Sequence, residues 1–305
     1  MNRVRSAGVP RRRQVDHLAL AALVLGGTTI GFAPILVRWS EVGPTATAFW
    51  RLVLAVPFMW LWLAGEHRRS DTMRGPASLA DYRGFLVSGF FFAGDLAVWH
   101  WSLKYTTVAN ATLLVNFAPV FVTLGSWLLF RQRVTLTFLA GLVTALLGAV
   151  LLIGTSFTLS PEFFGGDMLA LLAAMFYGGY MLSLKHLRAR FPTAVIMAWN
   201  GVVMSVLLLP PTLLSGEVLW PVSLVGWLVL VALAVLIHIG GQGTIAYAMA
   251  HLPASFSSVT LLVQPLMAAV FAWLLLGETL TPLQVAGGVV VLAGIATARR
   301  GSLPA

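Results

Sequence analysis

Two stretches of this chain, residues 82–155 and 228–301, read as copies of one segment offset by 146 positions, and both are almost wholly apolar. Pro119 falls on Pro265, Trp127 on Trp273, Thr135 on Thr281, Gly141 on Gly287 and Gly148 on Gly294. A repeat changes the reading of a whole fold, so it is weighed first. Runs this apolar and this long belong in a bilayer. Hydrocarbon offers backbone amides no water to bond, so only helices or closed barrels can cross it. The alternation that marks a membrane barrel is absent, which leaves helices. A membrane protein made of two related halves points to a binding site between them.

Composition supports the class. Hydrophobic residues make up 59% of the chain and charged residues 10%, with a mean hydropathy of +0.90. A soluble domain carries about 25% charged residues. The net charge of +9 does not mark a nucleic-acid-binding face, because the basic residues sit at the termini and in short gaps between apolar runs. The chain has no cysteine, which excludes a disulfide framework, a thiolate metal site and a cysteine nucleophile. The start, with Arg3, Arg5, Arg11, Arg12 and Arg13, leads into an apolar run too long for a signal-peptide core. It is expected to be a first anchor rather than a cleaved leader.

Crossing the hydrocarbon core takes about 20 apolar residues. Ten segments qualify: about 18–38, 44–65, 82–103, 107–130, 135–155, 166–188, 193–214, 222–249, 254–276 and 281–299. With the N-terminus inside, only Arg38, Arg51 and Lys104 of the 19 Lys and Arg residues fall on the outer side. Glu41, Glu162, Asp167, Glu217 and Glu278 fall there too. This asymmetry predicts both termini in the cytoplasm. Five spans per half is an odd number, so the second half starts on the opposite side of the membrane and the repeats are inverted. That arrangement suits alternating access.

The order of motifs carries a resemblance. Leu276-Gly277-Glu278 follows a helix containing Pro265 and precedes a Gly-rich helix from Gly287 to Gly294. The first half matches through Lys104 to Leu114, Pro119-Val120-Phe121, and Gly141 to Gly148, while Phe49-Trp50-Arg51-Leu52 looks like a second-helix pattern. It departs at Phe130-Arg131-Gln132-Arg133, where Gly-Glu is expected. Over about residues 17–300 the chain resembles the EamA-type repeat of the drug/metabolite transporter superfamily. The resemblance implies an all-α integral membrane protein of ten transmembrane helices in two inverted five-helix repeats, residues 17–156 and 166–300, after a cytoplasmic basic N-terminus of residues 1–16. It implies a cavity lined by helices 1, 3, 4, 6, 8 and 9, with helices 5 and 10 at the periphery. It also implies a bacterial-type cytoplasmic (inner) membrane and export of small metabolites, amino acids foremost.

Ionisable groups deep in a membrane are functional hypotheses by default. Asp95 lies about thirteen residues into its span and must be protonated, paired or wet. It is expected to meet a substrate ammonium or couple a proton; the alternative is a hydrogen-bond anchor between helices. His238 and Gln242, four apart, share a helix face within His-Ile-Gly-Gly-Gln-Gly. Ser257, Thr260 and Gln264 form a second stripe, and Thr112, Asn116, Pro119 and Thr123 a third. Pro119 and Pro265 each lack an amide donor and should bend their helices, either to gate or to shape the cavity. Trp99, Trp101, Tyr177 and Tyr180 are candidates for an aromatic cage, with core packing the bland alternative. Small residues at spacing four (Gly27 and Gly31, Ala174 and Gly178, Gly141, Ala145 and Ala149) read as helix-packing positions. Arg51 reads as snorkelling to the outer surface or pairing with Glu41. Glu278, Trp60, Trp62, Trp220 and Trp227 read as interfacial.

No Walker-type Gly-Lys-Ser occurs, so no nucleotide or other cofactor is expected. The expected function is therefore a secondary transporter that releases a small solute, most simply an amino acid. A nucleoside, sugar or cationic drug is the runner-up. An intramembrane enzyme is the rival from another class, but no His-Glu-x-x-His pair and no Gly-x-Ser-x-Gly elbow is present.

Overall fold

The computed structural model describes residues 17–69, 75–153 and 160–302. The basic N-terminal segment and Arg74 lie outside the described residues. Among the described residues the chain is helical without a strand. The helices are α1 (His17–Arg38), α2 (Pro44–Arg69), α3 (Leu79–Ser102), α4 (Val108–Phe130), α5 (Leu136–Ile153), α6 (Pro161–Arg188), α7 (Thr193–Leu214), α8 (Leu224–His251), α9 (Ala254–Leu276) and α10 (Pro282–Ser302). Nine of them are long and apolar enough to cross a membrane; α3 falls outside that set. It is 24 residues long, about 36 Å at 1.5 Å per residue, but Asp95 and His100 dilute its apolar run.

Several helices are interrupted, each for a local reason. In α4 the helix stops after Val115 and restarts at Ala118, and in α9 it stops after Thr260 and restarts at Val263. Pro119 and Pro265 sit just past these breaks and cannot donate to the carbonyl one turn earlier. Tighter bonds fill the gap, from Phe117 N to Leu114 O at 3.1 Å and from Leu262 N to Val259 O at 3.1 Å. A third break, at Phe32 before Pro34, divides α1. In α8, Leu233–Gln242 forms a ten-residue π-helix. Such wide turns are rare and concentrate at functional sites.

The helices interleave. α6 packs on α3 and α4, while α1 packs on α8 and α9. Each half thus lends its first helix to the other. α2 lies against α7, and α5 and α10 form the most extensive pair. The large aliphatic face of α5 (Leu136, Leu139, Val143, Leu147) points outward, and its small residues point to α10. α10 does the same, with Val285, Val289 and Leu292 outside and Gly287, Gly294 and Ala298 inside. A helix that turns small residues inward and leucines outward is built for lipid.

The α5–α10 seam is reciprocal. A Cβ added at Gly148 would sit 2.5 Å from the Val291 nitrogen, and one at Gly294 would strike Ala145. One at Gly287 would sit 2.6 Å from the Leu152 nitrogen, and one at Gly141 would strike Ala298. Shifting each contact by 146 positions exchanges the members of each set. That swap is the signature of a local twofold relation. Residue numbers rise on α5 as they fall on α10, so the two helices run antiparallel. Their glycines are required by close approach of backbones. Gly148→Ala or Gly287→Ala is expected to cost about 1–3 kcal/mol through overpacking, read as a lower Tm of the detergent-solubilised protein. A methyl on the lipid-facing side, Val143→Ile, is expected to leave Tm unchanged.

Candidate functional site

Polar side chains from five helices converge in the interior. α8 supplies His238 and Gln242, which are 2% and 4% exposed. Gln242 Nε2 donates to the Tyr180 hydroxyl of α6 at 2.8 Å. Phe92 of α3 joins the two, with its ring 4.7 Å from Tyr180 and 5.9 Å from His238. Tyr177 lies 6.2 Å from Tyr180, one turn away, near the Gln264 side chain of α9. Gln264 Nε2 remains buried without a hydrogen-bond partner.

Asp95 of α3 is 8% exposed and interacts electrostatically with both Tyr177 and Arg51. Arg51 in turn feels His238 and His100. Among the described residues Arg51 makes no ion pair with Glu41. Its Nε is buried and has no hydrogen-bond partner. The reason is positional. Seven residues separate Arg51 from the start of α2 at Pro44, and seven separate Asp95 from the end of α3 at Ser102. Both therefore lie about 10 Å from the same end of the bundle. Asp95 lies between that end and the middle of its helix, nearer the middle. No ion pair within 4 Å joins the two among the described residues.

The outer-end acids are occupied elsewhere. Glu41 accepts from the Val222 and Ser223 amides at 2.9 and 3.0 Å and from the Ser223 hydroxyl. These bonds, the Ser223 hydroxyl foremost, hold its carboxyl below the usual carboxylate range. Glu217 caps the start of α2, accepting from the Thr45 and Ala46 amides at 2.8 and 3.1 Å. Asp167 takes the Thr106 hydroxyl at 2.6 Å. Glu278 pairs with Arg38 at 2.6 Å across an exposed surface. Each of these bonds ties one half of the chain to the other.

Of the candidates read from the sequence, Asp95, Tyr177, Tyr180, His238, Gln242 and Gln264 share this interior group. Ser257 is fully buried with its Oγ unpartnered, and Thr260 donates to Phe256 O within its own turn at 3.0 Å. Asn116 likewise donates to Thr112 O at 2.9 Å, at the break that Pro119 imposes. Trp99 packs on His100 at 4.9 Å, with its indole nitrogen buried and unpartnered. Trp101 is 42% exposed at the end of α3. Among the described residues no ring contact joins either tryptophan to the tyrosines, so the four aromatics do not form one cage. Trp220 and Trp227 are not isolated at an interface; they cluster with Trp50 at 4.8 and 5.1 Å.

Sequence reasoning missed Arg51 and Phe92 as members of the group. The signal for Arg51 was its apolar flanks, Phe49-Trp50 and Leu52-Val53-Leu54, which leave a guanidinium no local partner. Nothing in the sequence separates Phe92 from Phe90 and Phe91. Tyr180→Phe is expected to destabilise the fold by about 1–3 kcal/mol, because it strands the Gln242 amide. Adding Gln242→Leu should recover part of that loss in a thermal-unfolding cycle.

The sequence profile described as the EamA-like transporter family matches residues 17–154 and 164–299. An uncharacterized transporter of Archaeoglobus fulgidus is 26% identical over 285 residues, covering 91% of this chain and 94% of the relative. A probable amino-acid metabolite efflux pump of Salmonella typhimurium is 28% identical over 294 residues, covering 93% and 94%. A pseudopaline exporter of Pseudomonas aeruginosa is 28% identical over 215 residues, covering 70% and 74%. One crystal structure shares the fold at a TM-score of 0.78 with 20% identity, covering 94% of this chain and 99% of that one.

Proposed function

Because the chain belongs to the EamA-like transporter family, a family of multi-pass membrane transporters rather than enzymes, we propose that it is a secondary transporter that exports α-amino acids by alternating access. The observation that carries this reading is the Arg51–Asp95 couple: a half-buried base and a buried acid that act on each other with no ion pair within 4 Å among the described residues. Opposite charges held apart inside the bundle are costly unless something bridges them. A zwitterion bridges them with both of its charges: its carboxylate takes the free Arg51 donors, and its ammonium takes Asp95. Phe92, Tyr177 and Tyr180 then flank the side chain, which favours apolar and aromatic amino acids. His238 and Gln264 complete the polar surround. Trp99, with its free indole donor, lies on the same helix one turn beyond Asp95. Arg51 disfavours the runner-up, a cationic drug, and makes a neutral sugar or nucleoside a weak match for a charged couple.

In this reading the chain crosses the membrane ten times, with α3 as the span that carries the charge. The antiparallel twofold at α5–α10 supports two inverted five-helix repeats, residues 17–156 and 166–300. The broken helices α4 and α9 flex at Pro119 and Pro265 as the halves exchange conformations. Both termini lie in the cytoplasm, on the side with most of the arginines. Relatives named as exporters support outward movement.

Counterflow of labelled L-phenylalanine in proteoliposomes tests the reading. Asp95→Asn and Arg51→Gln are each expected to lower flux about ten- to a hundredfold at normal folded yield, the worth of a charge-assisted hydrogen bond. If flux and folded yield fall together, the couple is scaffolding. Orientation has its own check: a reporter fused to the C-terminus should be active in the cytoplasm, and a periplasmic signal overturns the arrangement.

A further inference from the structure

A second polar site lies away from the Arg51–Asp95 couple, at the end of the bundle where basic residues gather. A recess of about 520 Å³ opens between α2, the α6–α7 turn and α8. That volume falls within the range of about 300–1,000 Å³ typical of small-molecule sites. Its walls hold Trp62 and Glu66 of α2, Arg188 of α6, and Gly240, Gly243 and Tyr247 of α8. Ile239, Gly240 and Gly243 face this recess, while His238 and Gln242 face the interior group. The π segment of α8 is therefore the common wall of the two sites.

The recess has an acid and a base, and each is half committed. Glu66 Oε1 accepts from Trp62 Nε1 at 2.8 Å, and its Oε2 has no partner among the described residues. Arg188 donates through Nε to Ala246 O at 3.0 Å and through Nη1 to Phe191 O, and its Nη2 has no partner among the described residues. The two charges act on each other across the space, yet no ion pair within 4 Å joins them among the described residues. The Trp62 and Tyr247 rings stand beside them. Gly243 packs beside the Trp62 ring, where an added Cβ would sit at an ordinary contact distance of 3.7 Å.

We propose that this recess is a second binding site for an α-amino acid, with its ammonium on Glu66, its carboxylate on Arg188 and its side chain against Trp62 and Tyr247. It is the loading site from which substrate passes along α8 to the Arg51–Asp95 couple, and in that respect it rests on the amino-acid reading above. The same ammonium-and-anion pattern occurs in the headgroup of phosphatidylethanolamine, so the test uses a bilayer without it.

The full chain is placed in nanodiscs of phosphatidylglycerol, and equilibrium binding of labelled L-phenylalanine is measured beside counterflow in liposomes. Asp95→Asn, which cripples the interior group, should still bind the label. Adding Glu66→Gln to that background should weaken binding at least ~10-fold, the loss expected for one charged partner. Glu66→Gln is the decisive variant because glutamine still accepts from Trp62. Arg188→Lys, which keeps the charge, should weaken binding less than Arg188→Gln. If Asp95→Asn binds nothing, or binds equally with and without Glu66→Gln, the recess is not a site, even where wild-type counterflow is intact. If Glu66-dependent binding persists while the wild type shows no counterflow, the recess stands and the transport reading falls.

Discussion

Hydrocarbon offers backbone amides and carbonyls no partner, so every departure from α-helical bonding in this protein must be answered from within. The departures are not scattered. They fall at Phe32, at Asn116 and Phe117, at Leu261 and Leu262, and along Leu233–Gln242. These breaks lie on α1, α4, α8 and α9, helices that pack across the two halves, while a 3-10 turn opens α6 and prolines sit inside α2 and α7. α5 and α10, which turn leucine and valine outward, are unbroken. The breaks in α1, α4, α8 and α9 fall where other helices pack on them. Regular backbone is kept where lipid covers α5 and α10.

That division follows from how the halves interlock. α1 sits in the second half and α6 in the first, so neither half can close its core alone. The glycine seam of α5 and α10 closes the assembly where two backbones meet, on or near the local twofold. Outer-end bonds from Glu41, Glu217, Asp167 and Glu278 fasten the same halves again. A shift of one half against the other must break several of these at once, which makes a switch between two arrangements more natural than a gradual slide.

Charge placement completes the picture. The Arg51–Asp95 couple, in which the acid is buried, and the half-buried Glu66–Arg188 couple share one pattern, an acid and a base held apart, toward opposite ends of the bundle. α8 connects them, and its π segment is the stretch that both sites use. Its glycines let helices approach, as Gly241 does beside Ile30 of α1. Asp95, His238, Gln242 and Gln264 were readable as candidates because polar groups in apolar runs are expensive to place. Arg51 escaped that reading because its nearness to a helix end suggested an easy route to water. Trp101 was over-read for the mirror reason: a neighbour in sequence, it points out of the bundle.

The sequence by itself determined the class of the protein: apolar runs of membrane length, their repetition at 146 positions, the prolines that break α4 and α9, and the bias of arginine to one side. These are local or compositional properties, set by hydropathy and by the missing amide of proline. Only the tertiary structure decided which side chains meet. The rotation of each helix about its axis and its depth relative to its neighbours come from packing among distant segments, and no spacing within one helix encodes them. That is why Arg51 acts on Asp95 rather than pairing with Glu41, and why Trp62 lines a recess beside Glu66.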